Sequence, residues 1–213
     1  MIHVLIVDDH DIVREGVKQI LSDTDDIAIG GEARTGGEAL AEVRRAKCDV
    51  VILDLNLPDR AGLEVLSQLR TMAPHVPVLI FSMHRESSYA TRALKAGAAG
   101  YVSKDSAREH LVAAIRKVAR GERFLTPDVA ESVAFGVVDE SGENLHERLS
   151  DREFQVLCLI AAGRPPREIA AELNLSVRTV GTHRARLLGK MGLRNNAQLV
   201  QYAIEHRLLP EGE

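Results

Sequence analysis

Two hydrophobic periods alternate through the first ~120 residues, and this alternation limits the possible folds more than any other feature. Short runs rich in β-branched residues recur at Val4–Val7, Ile27–Ile29, Val50–Leu53, Val78–Phe81 and Ala99–Val102. Such runs suit strands buried on both faces. Between them the apolar residues take helical spacing: Ile12, Val13, Val17, Ile20 and Leu21, then Ala39, Leu40 and Val43. Leu63, Leu66 and Leu69 follow, then Tyr89, Ala90, Ala93 and Leu94, and last Leu111, Val112, Ile115 and Val118. Repeated strand-then-helix units predict a parallel sheet covered on both faces, a doubly wound α/β domain of five strands. Ligands of such a domain bind at the carboxyl ends of its strands.

The text changes after residue 121. Gly121, Pro127, Gly136 and Gly142 break the pattern, and Asp139, Glu140, Glu143 and Glu147 crowd its end. Residues 122–147 therefore read as a linker, with a short helix expected over Asp128–Phe135. From residue 148 the chain reads as all-helical. Ser150-Asp151-Arg152-Glu153 is a capping box ahead of Phe154, Leu157 and Ile160. Gly163 ends that helix, and Pro165-Pro166 turn the chain into a short one with Ile169, Ala170 and Leu173. Ser176 caps a third helix that buries Val180, Leu187, Leu188 and Met191 and stops at Gly192. A fourth carries Leu199, Ala203 and Ile204. Two helices around a tight turn, the second longer, predict a helix-turn-helix. The expected division is 1–121, 122–147 and 148–213.

Composition removes several function classes. Two cysteines, Cys48 and Cys158, are too few for a disulfide framework or a cysteine-ligated zinc site. No apolar run approaches the ~20 residues of a membrane span, and no basic-then-apolar leader opens the chain. A cytoplasmic protein with no membrane partner is expected. Gly30-Gly31 and Gly36-Gly37 read as turns and fit no dinucleotide fingerprint.

Three carboxylates fall at predicted strand ends: Asp8 and Asp9 after the first strand and Asp54 after the third. Convergent carboxylates repel one another, and a hard divalent cation such as Mg²⁺ relieves the repulsion while accepting phosphoryl oxygens. Ser82 and Lys104 follow the fourth and fifth strands. An Asp, a divalent ion, a hydroxyl and a Lys together suit phosphoryl transfer onto the Asp.

These stretches are V-D-D-H at 7–10, L-D-L-N-L-P-D-R-A-G-L-E at 53–64, F-S at 81–82 and A-G-A-A-G-Y-V-S-K at 96–104. Together they resemble the receiver domain of bacterial two-component response regulators, a flavodoxin-like fold, over roughly residues 1–121. The resemblance implies Asp54 as phosphoacceptor for a sensor histidine kinase. It implies Mg²⁺ held by Asp9, by Asp8 partly through water, by Asp54, and by the backbone carbonyl of Asn56. Ser82 would hydrogen-bond the phosphoryl group, Lys104 would pair with it, and Tyr101 would turn inward as Ser82 is drawn to it. The responding face would lie around Glu86–Tyr101.

The net charge of −4 hides an uneven distribution. Residues 1–147 carry 17 basic and 24 acidic residues, a balance of −7. Residues 148–213 carry 10 basic and 7 acidic, a balance of +3. No acid occurs between Leu173 and Ile204, where Arg178, Arg184, Arg186, Lys190 and Arg194 fall. An acid-free basic helix is attractive to a phosphate backbone. The stretches L-S-D-R-E at 149–153, E-I-A-A-E-L at 168–173, L-S-V-R-T-V at 175–180 and K-M-G-L-R at 190–194 resemble the LuxR-type DNA-binding domain. With the receiver they resemble the NarL/FixJ group, and R-A-R at 184–186 resembles its GacA/UvrY subgroup.

A helical wheel puts Arg178, Thr182, Ala185 and Arg186 opposite Leu187 and Met191. Thr182 and Arg186 are expected to contact promoter DNA, with Arg178, Lys190, Thr179 and the helix N-terminus on phosphates. Arg184, on the apolar side, is expected to pair with Glu153 or Glu168. Where many members carry a groove-entering Lys, this chain has Gly181. The resemblance implies a homodimer through the fourth helix, at Leu199 and Ala203. Two other readings compete. A metal-dependent aspartyl-phosphate hydrolase would need a second acid two residues after the nucleophile, where Asn56 stands. A protein-binding module without DNA affinity is the other, favoured by Gly181 and Ala185.

Overall fold

The structure, a computed structural model, describes residues 1–45, 47–83, 87–105, 108–127, 129–130, 144–206 and 208–209. The chain divides into two compact units, one of Met1–Arg85 with Tyr89–Val133, the other holding Ala134–Glu213.

The first unit alternates strand and helix as its periodicity predicts. β1 (Ile2–Val7), β2 (Ile27–Ala33), β3 (Val50–Leu53), β4 (Val78–Ser82) and β5 (Gly100–Ser103) are joined through α1 (Asp11–Ser22), α2 (Gly36–Arg45), α3 (Gly62–Met72) and α4 (Ser87–Lys95). α5 (Arg108–Ala119) follows β5. With a short β6 (Phe124–Leu125) at the far edge, all pairings are parallel, in the order β2-β1-β3-β4-β5-β6. One face packs Val4, Ile6, Ile52, Leu79, Phe81 and Val102 against Val17 and Leu21 of α1 and Leu111, Ile115 and Val118 of α5. Because side chains alternate along a strand, Leu5, Val51, Leu53, Ile80 and Tyr101 point to the other face, and they are buried too.

The sheet has six strands rather than five. β6 (Phe124–Leu125) adds to the edge of β5 opposite Gly100 and Tyr101, inside the stretch read as linker. A side chain at Gly100 would lie 2.6 Å from the Phe124 carbonyl oxygen, so glycine permits the approach. Two residues are too few to carry a period, which hid the strand. Gly30 and Gly31 are also not a turn but lie within β2. Val4 pairs with Ile29 and Leu5 with Gly31, so Gly30 is the extra residue of a bulge. Gly36 and Gly37 open α2. Of the helix expected over Asp128–Phe135, only Val129 and Ala130 fall among the described residues, and both are helical.

Among the described residues the first element of the second unit is a short 3₁₀ turn, Leu145–Arg148. It continues through α6 (Asp151–Ala161), α7 (Pro166–Glu172), α8 (Val177–Met191) and α9 (Asn196–Glu205). The expected capping box closes α6: the Ser150 side chain accepts from the Glu153 amide and Glu153 accepts from the Ser150 amide. The turn between α7 and α8 is made by Asn174 at φ 52°, a left-handed conformation that Asn tolerates. Ser176 caps α8 through the Thr179 amide, and Gly192 ends it at φ 67°. His146 of the 3₁₀ turn lies 2.9 Å from the Tyr202 hydroxyl of α9, tying the start of the unit to its last helix.

Candidate functional site

Strand register assembles the acidic edge. Val7 pairs with Leu53, and the Asp54 amide donates to the Val7 carbonyl at 2.9 Å, so Asp8 and Asp54 follow neighbouring strands at the same level. Ser82 pairs with Ser103, and the Lys104 amide donates to the Ser82 carbonyl at 2.8 Å, bringing Lys104 to that edge. Gly62 lets α3 start against the same loop. A side chain there would meet the Asp54 carbonyl and lie 2.5 Å from Leu55 Cα.

Oxygen or nitrogen atoms of Asp8, Asp9, His10 and Asp54 lie within 4.8 Å of one another. Lys104 Nζ sits 2.6 Å from Asp8 Oδ2 and 2.9 Å from Asp54 Oδ2. Asp8 and Asp54 are nearly sealed from solvent, and Lys104 is little more exposed. Asp54 Oδ1 accepts from the Leu55 amide at 2.8 Å and Asp8 Oδ1 from the His10 amide at 2.9 Å. Asp8 Oδ2 and Asp9 Oδ1 are buried and aligned with no hydrogen-bond donor, although Lys104 and His10 stand close as ion-pair partners. Burial, with the charge of Asp8, raises the Asp54 pKa to about 6; Lys104 and the Asn56 amide work against that rise. Burial also disfavours the Lys104 charge, but Asp54 and Asp8 outweigh it and hold Lys104 above its ordinary value. Three carboxylates converging on one largely buried edge are a hard oxygen donor set that fits Mg²⁺.

Ser82 and Tyr101 are both fully buried. The Tyr101 ring lies inward. Of the expected responding face, Glu86 lies outside the described residues, while Tyr89, Ala90 and Ala93 are buried in α4.

On α8 the outward face is as the wheel predicts: Arg178, Gly181, Thr182, Ala185 and Arg186 are exposed, opposite buried Val180, Leu187, Leu188 and Met191. Thr179, half-buried, bonds Ser176 at the helix start. The Thr182 hydroxyl donates to the Arg178 carbonyl at 3.1 Å.

Two expectations are corrected. The partner of Glu153 is Lys190, at 2.6 Å, and not Arg184. Arg184 instead donates to Asn196 Oδ1 at 2.6 Å. Lys190, expected on a phosphate, falls in the last turn of α8, one turn past Arg186, and its ammonium pairs with the buried Glu153 carboxylate. Burial raises the Glu153 pKa, but Lys190 and the Ser150 amide outweigh it and hold the carboxyl below its usual range. Leu199 and Ala203 are fully buried within their own unit. They therefore form core, and the outward side of α9 is Ala197, Gln201 and Ile204. Arg14, which the sequence reading passed over, is buried behind Asp8. A basic residue one turn into an apolar helix face was the available signal.

Residues 4–116 match the model of the response regulator receiver domain, and residues 147–203 that of bacterial regulatory proteins of the luxR family. The chain is 36% identical over 209 residues to the response regulator UvrY of Escherichia coli, covering 98% of this chain and 96% of that protein. To the response regulator GacA of Pseudomonas protegens it is 35% identical, covering 98% of each. Among solved structures, a LuxR-family two-component response regulator from Aurantimonas sp. superposes with TM-score 0.62 and 38% identity, over 64% of this chain and 98% of that one. RcsB of Salmonella enterica serovar Typhimurium, solved bound to promoter rprA with phosphomimetic BeF₃⁻, superposes with TM-score 0.59 and 25% identity, over 95% and 98%. Among the described residues no helix is long and apolar enough to cross a membrane. With a receiver domain and a LuxR-type DNA-binding domain joined in one polypeptide, the chain belongs to the response-regulator family.

Proposed function

We propose that this response regulator is a cytoplasmic transcription regulator switched by phosphorylation of Asp54 by a sensor histidine kinase, and that it binds promoter DNA as a homodimer. The observation that carries this reading is the meeting of Asp8, Asp9, Asp54 and Lys104 at one strand edge. Asp8, Asp9, Asp54 and the Asn56 carbonyl would hold Mg²⁺, which supplies charge neutralisation to an incoming phosphoryl group. Near neutral pH most of the Asp54 carboxyl is ionised despite its raised pKa of about 6. One of its oxygens bonds to phosphorus as the donor's bond to phosphorus breaks, leaving an acyl phosphate. Lys104, already 2.9 Å from Asp54 Oδ2, pairs with the new charge, and the Ser82 hydroxyl donates to a phosphoryl oxygen. Phosphotransfer to and from Asp54 is the only chemistry assigned to the chain.

The receiver is taken to run through β6, past the boundary expected near residue 121, and the DNA-binding domain to begin near 148, in keeping with the family match over residues 147–203. Arg186 and Thr182 would enter the groove, with Arg178, Thr179 and the α8 N-terminus on phosphates. The exposed side of α9 around Ile204 is the proposed dimer contact, in place of Leu199 and Ala203.

Wild type and Asp54→Ala are treated with a small phosphodonor and Mg²⁺, and intact mass is followed. A single phosphoryl adduct is expected on wild type and none on the variant. An adduct that persists in Asp54→Ala removes Asp54 from its role.

A further inference from the structure

Arg14 has no part in the scheme above, yet its side chain is 4% exposed and each guanidinium nitrogen has a partner. Nη1 donates to the Asp8 carbonyl at 2.8 Å, Nε donates to Glu32 Oε2 at 3.1 Å, and Nη2 pairs with Asp11 Oδ1. The partners reinforce one another. Glu32 Oε1 accepts from Lys18 Nζ at 2.9 Å, and Arg34 Nη2 lies 3.0 Å from Asp11 Oδ1. One planar group thus joins the end of β1, the first turn of α1 and β2.

The charge of Arg14 is answered by Asp11 and Glu32, so what it adds at the acidic edge is position. Asp8 is held at its amide, its carbonyl and both side-chain oxygens, Oδ2 lying 2.6 Å from Lys104 Nζ. Its amide donates to the Ala33 carbonyl at 3.1 Å, its carbonyl accepts from Arg14, and its Oδ1 accepts from the His10 amide. His10, the residue capping α1, makes no side-chain cap bond, but its carbonyl accepts from the Val13 and Arg14 amides, so α1 anchors the far end of the segment. Clustered carboxylates gain by swinging apart, and the segment from Asp8 to His10 is the piece of backbone that would move.

We infer that Arg14 is a positioning residue that clamps the Asp8 carbonyl and so keeps the Asp8 and Asp9 carboxylates convergent for a divalent cation. This rests on the Mg²⁺ reading of the site. A lysine keeps the charge but cannot span three acceptors with a fork, so charge and geometry can be told apart.

The test uses the full chain with Arg14→Met, Arg14→Lys and Glu32→Gln. Amide hydrogen exchange is measured without metal, and Mg²⁺ affinity by calorimetry. Both Arg14 variants are expected to speed exchange at the Asp8 and His10 amides and to weaken Mg²⁺ binding by about fivefold or more, the scale of one lost hydrogen bond. The amides of β3 and β4 should keep their protection. Glu32→Gln, which leaves Arg14 in place, should move both readouts in the same direction by less, and it carries the test if Arg14→Met does not fold. Wild-type exchange and affinity in Arg14→Lys would overturn the clamp. So would a uniform rise in exchange across the sheet, which marks a structural role alone. A wild type that does not bind Mg²⁺ would sink the metal reading, and the clamp is then decided by exchange at Asp8 and His10.

Discussion

Asp54 is held at a cost to folding. In the unfolded chain an Asp ionises near pH ~3.9, whereas in the fold burial and the neighbouring Asp8 raise its pKa to about 6 against the pull of Lys104. Between those values the folded state binds more protons than the unfolded one, so this group lowers stability as pH rises through that window. Asp54→Asn removes the loss. In metal-free buffer it should be more stable than wild type by about 1–3 kcal/mol at neutral pH and above, with the difference vanishing below about pH 4. Urea unfolding across that pH range checks it; a variant less stable than wild type at neutral pH would mean that Lys104 loses more than Asp54 gains. The residue types of this edge were legible in the sequence because Asp8, Asp54 and Lys104 stand directly after strands and Asp9 follows Asp8. The bond from Arg14 to a backbone carbonyl leaves no mark in a motif. It needs the register of β1 on β2, which brings Glu32 beside α1.

Elements differ in how tightly they depend on single positions, and two glycines show the range. At Gly62 an added Cβ would strike the backbone of Asp54 and Leu55, neither of which can yield without moving β3 or α3. Gly62→Ala should destabilise by about 1–3 kcal/mol, as overpacking does, and should disturb phosphorylation as well. At Gly181, exposed in the middle of α8, nothing lies within 4 Å. Gly181→Ala should stabilise by about 0.5–1 kcal/mol through helix propensity alone. Denaturant midpoints measure both, and equal effects would show that the contacts at Gly62 relax. The same contrast explains which elements could be read in advance. The five long strands and the helices of both units repeat their period often enough to be seen. β6, with two residues, does not. Gly30-Gly31 resembles a turn locally, and only pairing with β1 makes it a bulge. Leu199 and Ala203 were correctly apolar, but periodicity cannot say whether an apolar stripe meets its own core or a second copy. Likewise a wheel places Arg184 on the inner side of α8 without showing that Lys190 is the residue that reaches Glu153.

At the scale of the whole molecule the decisive quantity is the division of charge, −7 over residues 1–147 and +3 over residues 148–213. A summed charge of −4 would repel nucleic acid, yet α8 presents Arg178 and Arg186 on a face with no acid between Leu173 and Ile204. A few phosphate contacts from one copy give weak, strongly salt-dependent binding, because each released counterion adds about −0.9 to the slope of log K against log salt. Two copies on one duplex double the number of contacts, and the second binds at the high effective concentration set by the first. The proposed switch therefore makes a thermodynamic prediction that needs no knowledge of the target sequence. Binding to duplex DNA, followed by anisotropy from about 50 to about 200 mM salt, should show a slope about twice as steep after treatment with phosphodonor and Mg²⁺ as before. Asp54→Ala should keep the shallow slope under both conditions. Arg186→Ala should lose about 0.9 of slope per bound copy if its guanidinium sits on a phosphate. If it reads a base instead, it should keep the slope and lose discrimination between sequences. Equal slopes with and without phosphodonor, in protein shown by mass to be phosphorylated, would separate phosphorylation from dimerisation and sink the proposed link between the two domains.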